Sequence, residues 1–244
     1  MSYKQLVQDA KKSTVETSAH TSEQLIVVFF KNLGFYVAPI FLHFNFSANQ
    51  VTVIGLILGM LAATLIWSGQ VITGIAIYFL VYVLDFVDGT IARTRGEATF
   101  FGRFIDGFFG IIILTCMRVS LSTLFIEKTY GMIIMWLGIF SAVLTPMHHL
   151  FYDRYSTFVR WIKEEGHQIE ISPYLRPKMS RITNVLFDTQ NLLLFCLPLY
   201  YWNNYGPWLL AAYFLLSISL SIFTLIYYTK SASDNFKVKA KQHR

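Results

Sequence analysis

The sequence predicts an all-helical, polytopic membrane protein: six transmembrane helices preceded by an N-terminal juxtamembrane amphipathic helix. Three observations carry this. Of the 244 residues, 55% are hydrophobic and only 14% charged, where a soluble domain has about a quarter charged. The mean hydropathy is +0.49. Apolar runs of about 20 residues, the length that crosses a bilayer, recur along the chain between short polar turns.

Residues 1–21 are polar and read as a mobile cytoplasmic tail without a leader sequence. In residues 22–45, Leu25, Ile26, Phe29, Phe30, Leu33 and Phe35 alternate with Glu23, Gln24, Lys31 and Asn32. That pattern suits a helix lying along the membrane surface; a loosely packed cap on the bundle is the alternative, and the two are not exclusive. The six spans fall at about 50–68, 71–94, 99–125, 131–152, 185–203 and 207–229. Trp67-Ser68-Gly69-Gln70 and Asn203-Asn204-Tyr205-Gly206-Pro207 are turns too short for anything but antiparallel hairpins. Residues 153–181 form the longest soluble loop, rich in both charges. No internal repeat is visible, so residues 22–230 form one transmembrane domain, followed by a basic cytoplasmic tail at 231–244.

Charge sets the orientation. With the N-terminus in the cytoplasm, all of the 20 Lys and Arg lie inside except Lys128, in an outer loop, and Arg118, within a helix. Lys and Arg concentrate on the cytoplasmic side, so both ends and the acidic run described next face the cytoplasm. A bacterial inner, or cytoplasmic, membrane is the expected location. The formal net charge of +6 then serves anionic lipid and anionic substrates, not nucleic acid. Cys116 and Cys196 lie in spans and suggest neither disulfides nor a zinc site.

The chemistry-bearing run is Asp85-Phe86-Val87-Asp88-Gly89-Thr90-Ile91-Ala92-Arg93, followed by Gly102 and Asp106. On a helix Asp85, Asp88 and Ala92 share one face. The next helix presents Gly102 and Asp106 at i and i+4, and a tight connection at Gly96 brings the three aspartates into one cleft. An ionised carboxylate at membrane depth costs about 2.5–3.5 kcal/mol even on the lenient insertion scale. A divalent cation with oxygen ligands, Mg²⁺, Mn²⁺ or Ca²⁺, is the natural compensation. Pairing with Arg93 and Arg103 to hold the helices together is the alternative, but three acids converge against few bases.

The spacing resembles the signature of the CDP-alcohol phosphotransferase family, D-x2-D-G-x2-A-R-x8-G-x3-D-x3-D. Asp85, Asp88, Gly89, Ala92, Arg93, Gly102 and Asp106 match it, and Gly110 stands where the family has its last aspartate. Ser47-Ala48-Asn49-Gln50-Val51-Thr52 is similar to the family's Pro-Asn-x-x-Thr entry, with Ala48 replacing proline. The resemblance covers most of the chain. It implies transfer of a substituted phosphate from a CDP-linked alcohol, CDP-diacylglycerol or a soluble CDP-alcohol, to an alcohol acceptor with release of CMP. It implies dependence on Mg²⁺ or Mn²⁺ and a homodimer. Carried over residue by residue, Asp85, Asp88 and Asp106 bind metal, with Asp106 also part of the catalytic set. Gly89, Ala92, Arg93 and Gly102, with Asn49 and Thr52, contact the CDP moiety. Arg118 is a candidate for an acceptor phosphate or a counter-ion to Asp106 or Asp188.

In the family, the last aspartate deprotonates the acceptor hydroxyl and helps hold a second metal. Glycine does neither. Replacement bases are Asp188, within the polar stripe Arg181, Asn184, Asp188 and Asn191, and His148 with His149 near the cytoplasmic end of the fourth span. Asp188 could instead pair with Arg181 or Arg118, and a metal-bound hydroxyl could ionise without any protein base. A reading from another class is a protein that has lost the chemistry and keeps CDP-alcohol or lipid binding as a regulatory partner. A transporter is disfavoured, since no inverted repeat is evident.

Overall fold

A computed structural model of the chain describes residues 24–166, 175 and 177–236. Among these the structure has seven α-helices and no strand: α1 Leu25–His43, α2 Ala48–Trp67, α3 Val71–Arg95, α4 Phe100–Ser122, α5 Gly131–Glu164, α6 Pro177–Tyr200 and α7 Gly206–Asn235. All seven are long and apolar enough to cross a membrane.

Local chemistry sets the ends that matter for the site. Ser47 starts α2 with a capping box: its hydroxyl accepts from the Gln50 amide at 3.3 Å, and the Gln50 side chain accepts from the Ser47 amide at 2.8 Å. α3 ends at Gly96, whose φ of +67° is a left-handed conformation that suits glycine at a helix C-terminus. Thr99 then caps α4, accepting from the Gly102 amide at 3.0 Å.

The helices close into a ring. α3 and α4 are consecutive, yet each packs on α2 rather than closely on the other. From α4 the ring continues through α5, α7 and α6, and α6 returns to α3. The core on one side joins Ile66, Tyr78, Met117, Leu197 and Phe214; a second cluster binds α1 to α2 and α3 through Phe30, Val51, Val87 and Ile91. Because α3 and α4 stand apart, the polar face of each opens inward.

α1 is the expected N-terminal helix, and it packs against the bundle. Phe30 packs on Phe79 and Tyr82, Gly34 lies against Phe86, and Asn45, just past the helix, accepts from Arg95 at 2.8 Å. These pairings advance together, so α1 runs alongside the second half of α3 in the same direction. Its first amides therefore sit against the bundle and need an acceptor. Asp188 of α6 supplies it: Oδ2 accepts from the Leu25 amide at 2.9 Å and Oδ1 from the Ile26 amide at 3.1 Å. Gln24 adds a bond to Asn184 Oδ1 at 3.3 Å. Asp188→Ala is expected to lower stability by about 1–2 kcal/mol, the worth of a capping carboxylate at a helix N-terminus. Thermal unfolding in detergent measures it, and an unshifted midpoint would refute the cap.

Two expected soluble segments are partly helical. Residues 153–164 continue α5 and 231–235 continue α7. Tyr155, Val159 and Tyr228 form a cluster of their own beyond the spans, and Tyr155 Oη meets Ser231 Oγ at 2.8 Å. Hydropathy registers bilayer length but not two helices packing past it. The tail 1–21 lies outside the described residues, as do most of 167–176 and the end of the basic tail.

Candidate active site

The last turns of α3 and the first of α4 build the acid cluster. Asp88 is buried, 6% exposed, and the Thr52 hydroxyl, shared with the Ala48 carbonyl at 3.1 Å, donates to Asp88 Oδ2 at 2.7 Å. Asp85 and Asp106 line the same two cavities from α3 and α4. Among the described residues, none of the three aspartates forms an ion pair with an arginine. Helix-pairing salt bridges therefore do not account for them.

The glycines of the run shape what surrounds the acids. A side chain at Gly89 would meet the Arg93 guanidinium, with Nη1 at 3.2 Å from a Cβ; the missing side chain lets Arg93 fold back along its own helix toward Asp88. Arg93 Nε is buried without a hydrogen-bond partner. A Cβ at Gly102 would press on Asn49 Oδ1 and Thr99 Oγ1, both at 3.2 Å. Asn49, Thr52, Gly89, Arg93 and Gly102 are thus gathered where α2 begins, α3 ends and α4 begins. Ala92 is half-buried on the same turn.

Two cavities meet at the acids. The smaller, about 30 Å³, is lined by Thr52, Asp85, Asp88, Asp106 and Gly110 among others. The larger, about 610 Å³, also contains Asp85, Asp106 and Gly110 and extends to Arg118, His149, Asp153, Asn191 and Tyr213. Arg118 is 4% exposed, and its Nε and Nη1 have no hydrogen-bond partner. Its guanidinium carbon lies 5.9 Å from the Tyr213 ring centre, a cation–π contact that leaves its N–H donors free.

The structure brings together every residue matched to the signature and adds Arg118. It moves Asp188 out of the site, because both its oxygens cap α1 and it lines neither cavity. The expected pairing of Asp188 with Arg181 or Arg118 is replaced by the same cap. His148 is turned toward α7, with Nδ1 3.1 Å from Ser221 Oγ, and only His149 lines the large cavity. Sequence reasoning missed Tyr78, Tyr82, Gln190 and Tyr213 as lining residues. Their one signal was a polar atom on an otherwise apolar helix.

The three carboxylates fit a hard divalent cation in donor type and in convergence on the smaller cavity. Carboxylates lining one small cavity without a basic partner repel, and a cation among them would remove that cost. They are not drawn into a finished cluster: among the described residues no three His, Cys, Asp or Glu side chains are arranged to hold a metal. Binding would therefore draw the carboxylates together.

A family model for CDP-alcohol phosphatidyltransferase matches residues 45–219. No curated protein matches the chain. Among solved structures, phosphatidylinositol phosphate synthase of Mycobacterium tuberculosis is similar in its apo form, with a TM-score of 0.57 at 17% identity over 84% of this chain and 99% of that one. The same enzyme in complex with manganese and citrate gives a TM-score of 0.59 at 17% identity over 84% and 91%. At that identity the likeness establishes the shared fold.

Proposed function

The chain belongs to the CDP-alcohol phosphatidyltransferase family, and from that premise we propose that it transfers a substituted phosphate from a CDP-linked alcohol to an alcohol acceptor, releasing CMP. One observation carries the reading: Asp85, Asp106 and Gly110 line both cavities. A donor phosphate held at the acids is then presented directly to an acceptor in the larger cavity.

The residues divide the work. Asn49, Thr52, Gly89, Ala92, Arg93 and Gly102 hold the CDP moiety, with the unpartnered Arg93 Nε available to phosphate oxygens. Asp85, Asp88 and Asp106 would hold Mg²⁺ or Mn²⁺, which when bound would supply charge neutralisation for the diphosphate and the leaving phosphate. Thr52 fixes Asp88 for that task. In the larger cavity, Arg118 calls for an acceptor that carries an anionic group. The donor is CDP-diacylglycerol or a soluble CDP-alcohol, and the product a phospholipid or a glycoconjugate. The charge asymmetry of the chain supports a site open to the cytoplasm of a bacterial inner membrane, and the family supports a homodimer.

The test is CMP release by the purified protein given CDP-diacylglycerol, Mn²⁺ or Mg²⁺, and a panel of alcohols and their phosphate esters. Release that chelation abolishes is the expected result. Metal-dependent binding of CDP-diacylglycerol with no release from any acceptor would instead support the regulatory, binding-only reading.

A further inference from the structure

The transfer proposed above forms a bond from the acceptor oxygen to phosphorus and breaks the phosphorus–oxygen bond to CMP, which leaves with the electron pair. The acceptor hydroxyl must lose its proton in the process. Position 110, where the signature has its last aspartate, offers no side chain to take it. A Cβ built on Gly110 meets no atom within 4 Å, and neither does one on Gly107 one turn earlier. The wall beside Asp106 is open space belonging to the larger cavity.

The cavity itself restricts the choice. The guanidinium groups of Arg103 and Arg118 are donors with no acceptor site, and Tyr78 and Tyr152 are phenols that already carry a proton. Asp85 and Asp106 are committed to the phosphate side. The remaining proton acceptors on the lining are His149 and Asp153. They sit at i and i+4 of α5, on one helical face, and both line the larger cavity. The neighbouring ring fixes the rotation of that face: His148 stacks on His149 with centroids 4.2 Å apart and is tied to Ser221 of α7, which leaves His149 to the cavity.

We propose that His149, oriented by Asp153, receives the proton of the acceptor hydroxyl in the cavity that Gly110 leaves open. Asp153 is exposed and acts as a positioning residue with a path to water. The assignment rests on the transfer reading.

The experiment compares wild type, His149→Gln, Asp153→Asn, Gly110→Asp and the double variant His149→Gln/Gly110→Asp. Each is assayed for CMP release with CDP-diacylglycerol, Mn²⁺ and the same alcohol panel, and for CDP-diacylglycerol binding. A general base is worth about 10²–10⁴-fold. His149→Gln should therefore lose at least about a hundredfold in kcat with donor binding kept, and the double variant should regain much of it. Asp153→Asn should lower kcat without raising the acceptor KM, with recovery in Asp153→Glu. His149→Gln turning over at nearly the wild-type rate would overturn the assignment. So would a silent wild type beside an active Gly110→Asp, which would favour the binding-only reading of the natural chain. Absence of both release and donor binding in every protein would instead remove the transferase reading itself.

Discussion

Asp106→Asn is expected to lower metal-dependent CMP release on the order of a thousandfold, equivalent to about 4 kcal/mol of barrier. Asp106 is the acid contributed by α4, and it lines both cavities together with Asp85 of α3. In the proposed site, removing its charge would take away the ligand that ties the α4 side to the α3 side. The fold should not suffer, because the substitution relieves repulsion between acids that have no arginine partner. Thermal unfolding without metal should shift upward or stay level, while the stabilisation that Mn²⁺ gives the wild type should shrink. Turnover within tenfold of wild type would refute the metal-ligand role. Loss of turnover with a collapse of the metal-free midpoint would point to a structural acid instead. Thr52→Val is the smaller companion: it removes the 2.7 Å bond to Asp88 and leaves the carboxylate in place.

Much of this was legible in the sequence because it depends on short-range spacing or on apolar length. Six spans follow from hydropathy, and the acid run follows from residues three and four apart on a helix. What was not legible has a common physical origin. Gln24, Lys31 and Asn32 among apolar residues mark α1 as an N-terminal amphipathic helix, but where it packs is set by Phe30 on Phe79 and Tyr82 and by a carboxylate more than 160 positions away. Asp188 looked like a base in the membrane for the same reason: an intramembrane acid is recognisable in sequence, but its partner is not. His148 and His149 are adjacent and chemically identical, and only the packing of α5 on α7 decides which faces the cavity.

Arg118→Met is expected to uncouple stability from function. The arginine is 4% exposed and its Nε and Nη1 are unpartnered. A buried charge lacking a partner is a cost, and replacing buried ionic groups with apolar ones of similar volume often stabilises by about 1–4 kcal/mol. The thermal midpoint of Arg118→Met should therefore rise. A charged hydrogen bond is worth about 1.5–3 kcal/mol, so the KM for an acceptor bearing a phosphate should increase by about 10–100-fold. Acceptors without a charge should be little affected. Arg118→Lys should fall between, since an ammonium keeps the charge but not the planar fork that engages two oxygens. The diagnostic measurement is ligand-induced stabilisation: phosphorylated acceptor should raise the midpoint of the wild type and leave that of Arg118→Met unmoved. A lower midpoint for Arg118→Met, with unchanged preference among acceptors, would mean that the guanidinium serves the fold through Tyr213. In that case the selection of an anionic acceptor would have to come from elsewhere in the cavity, and Arg103 on the same lining would be the next residue to replace.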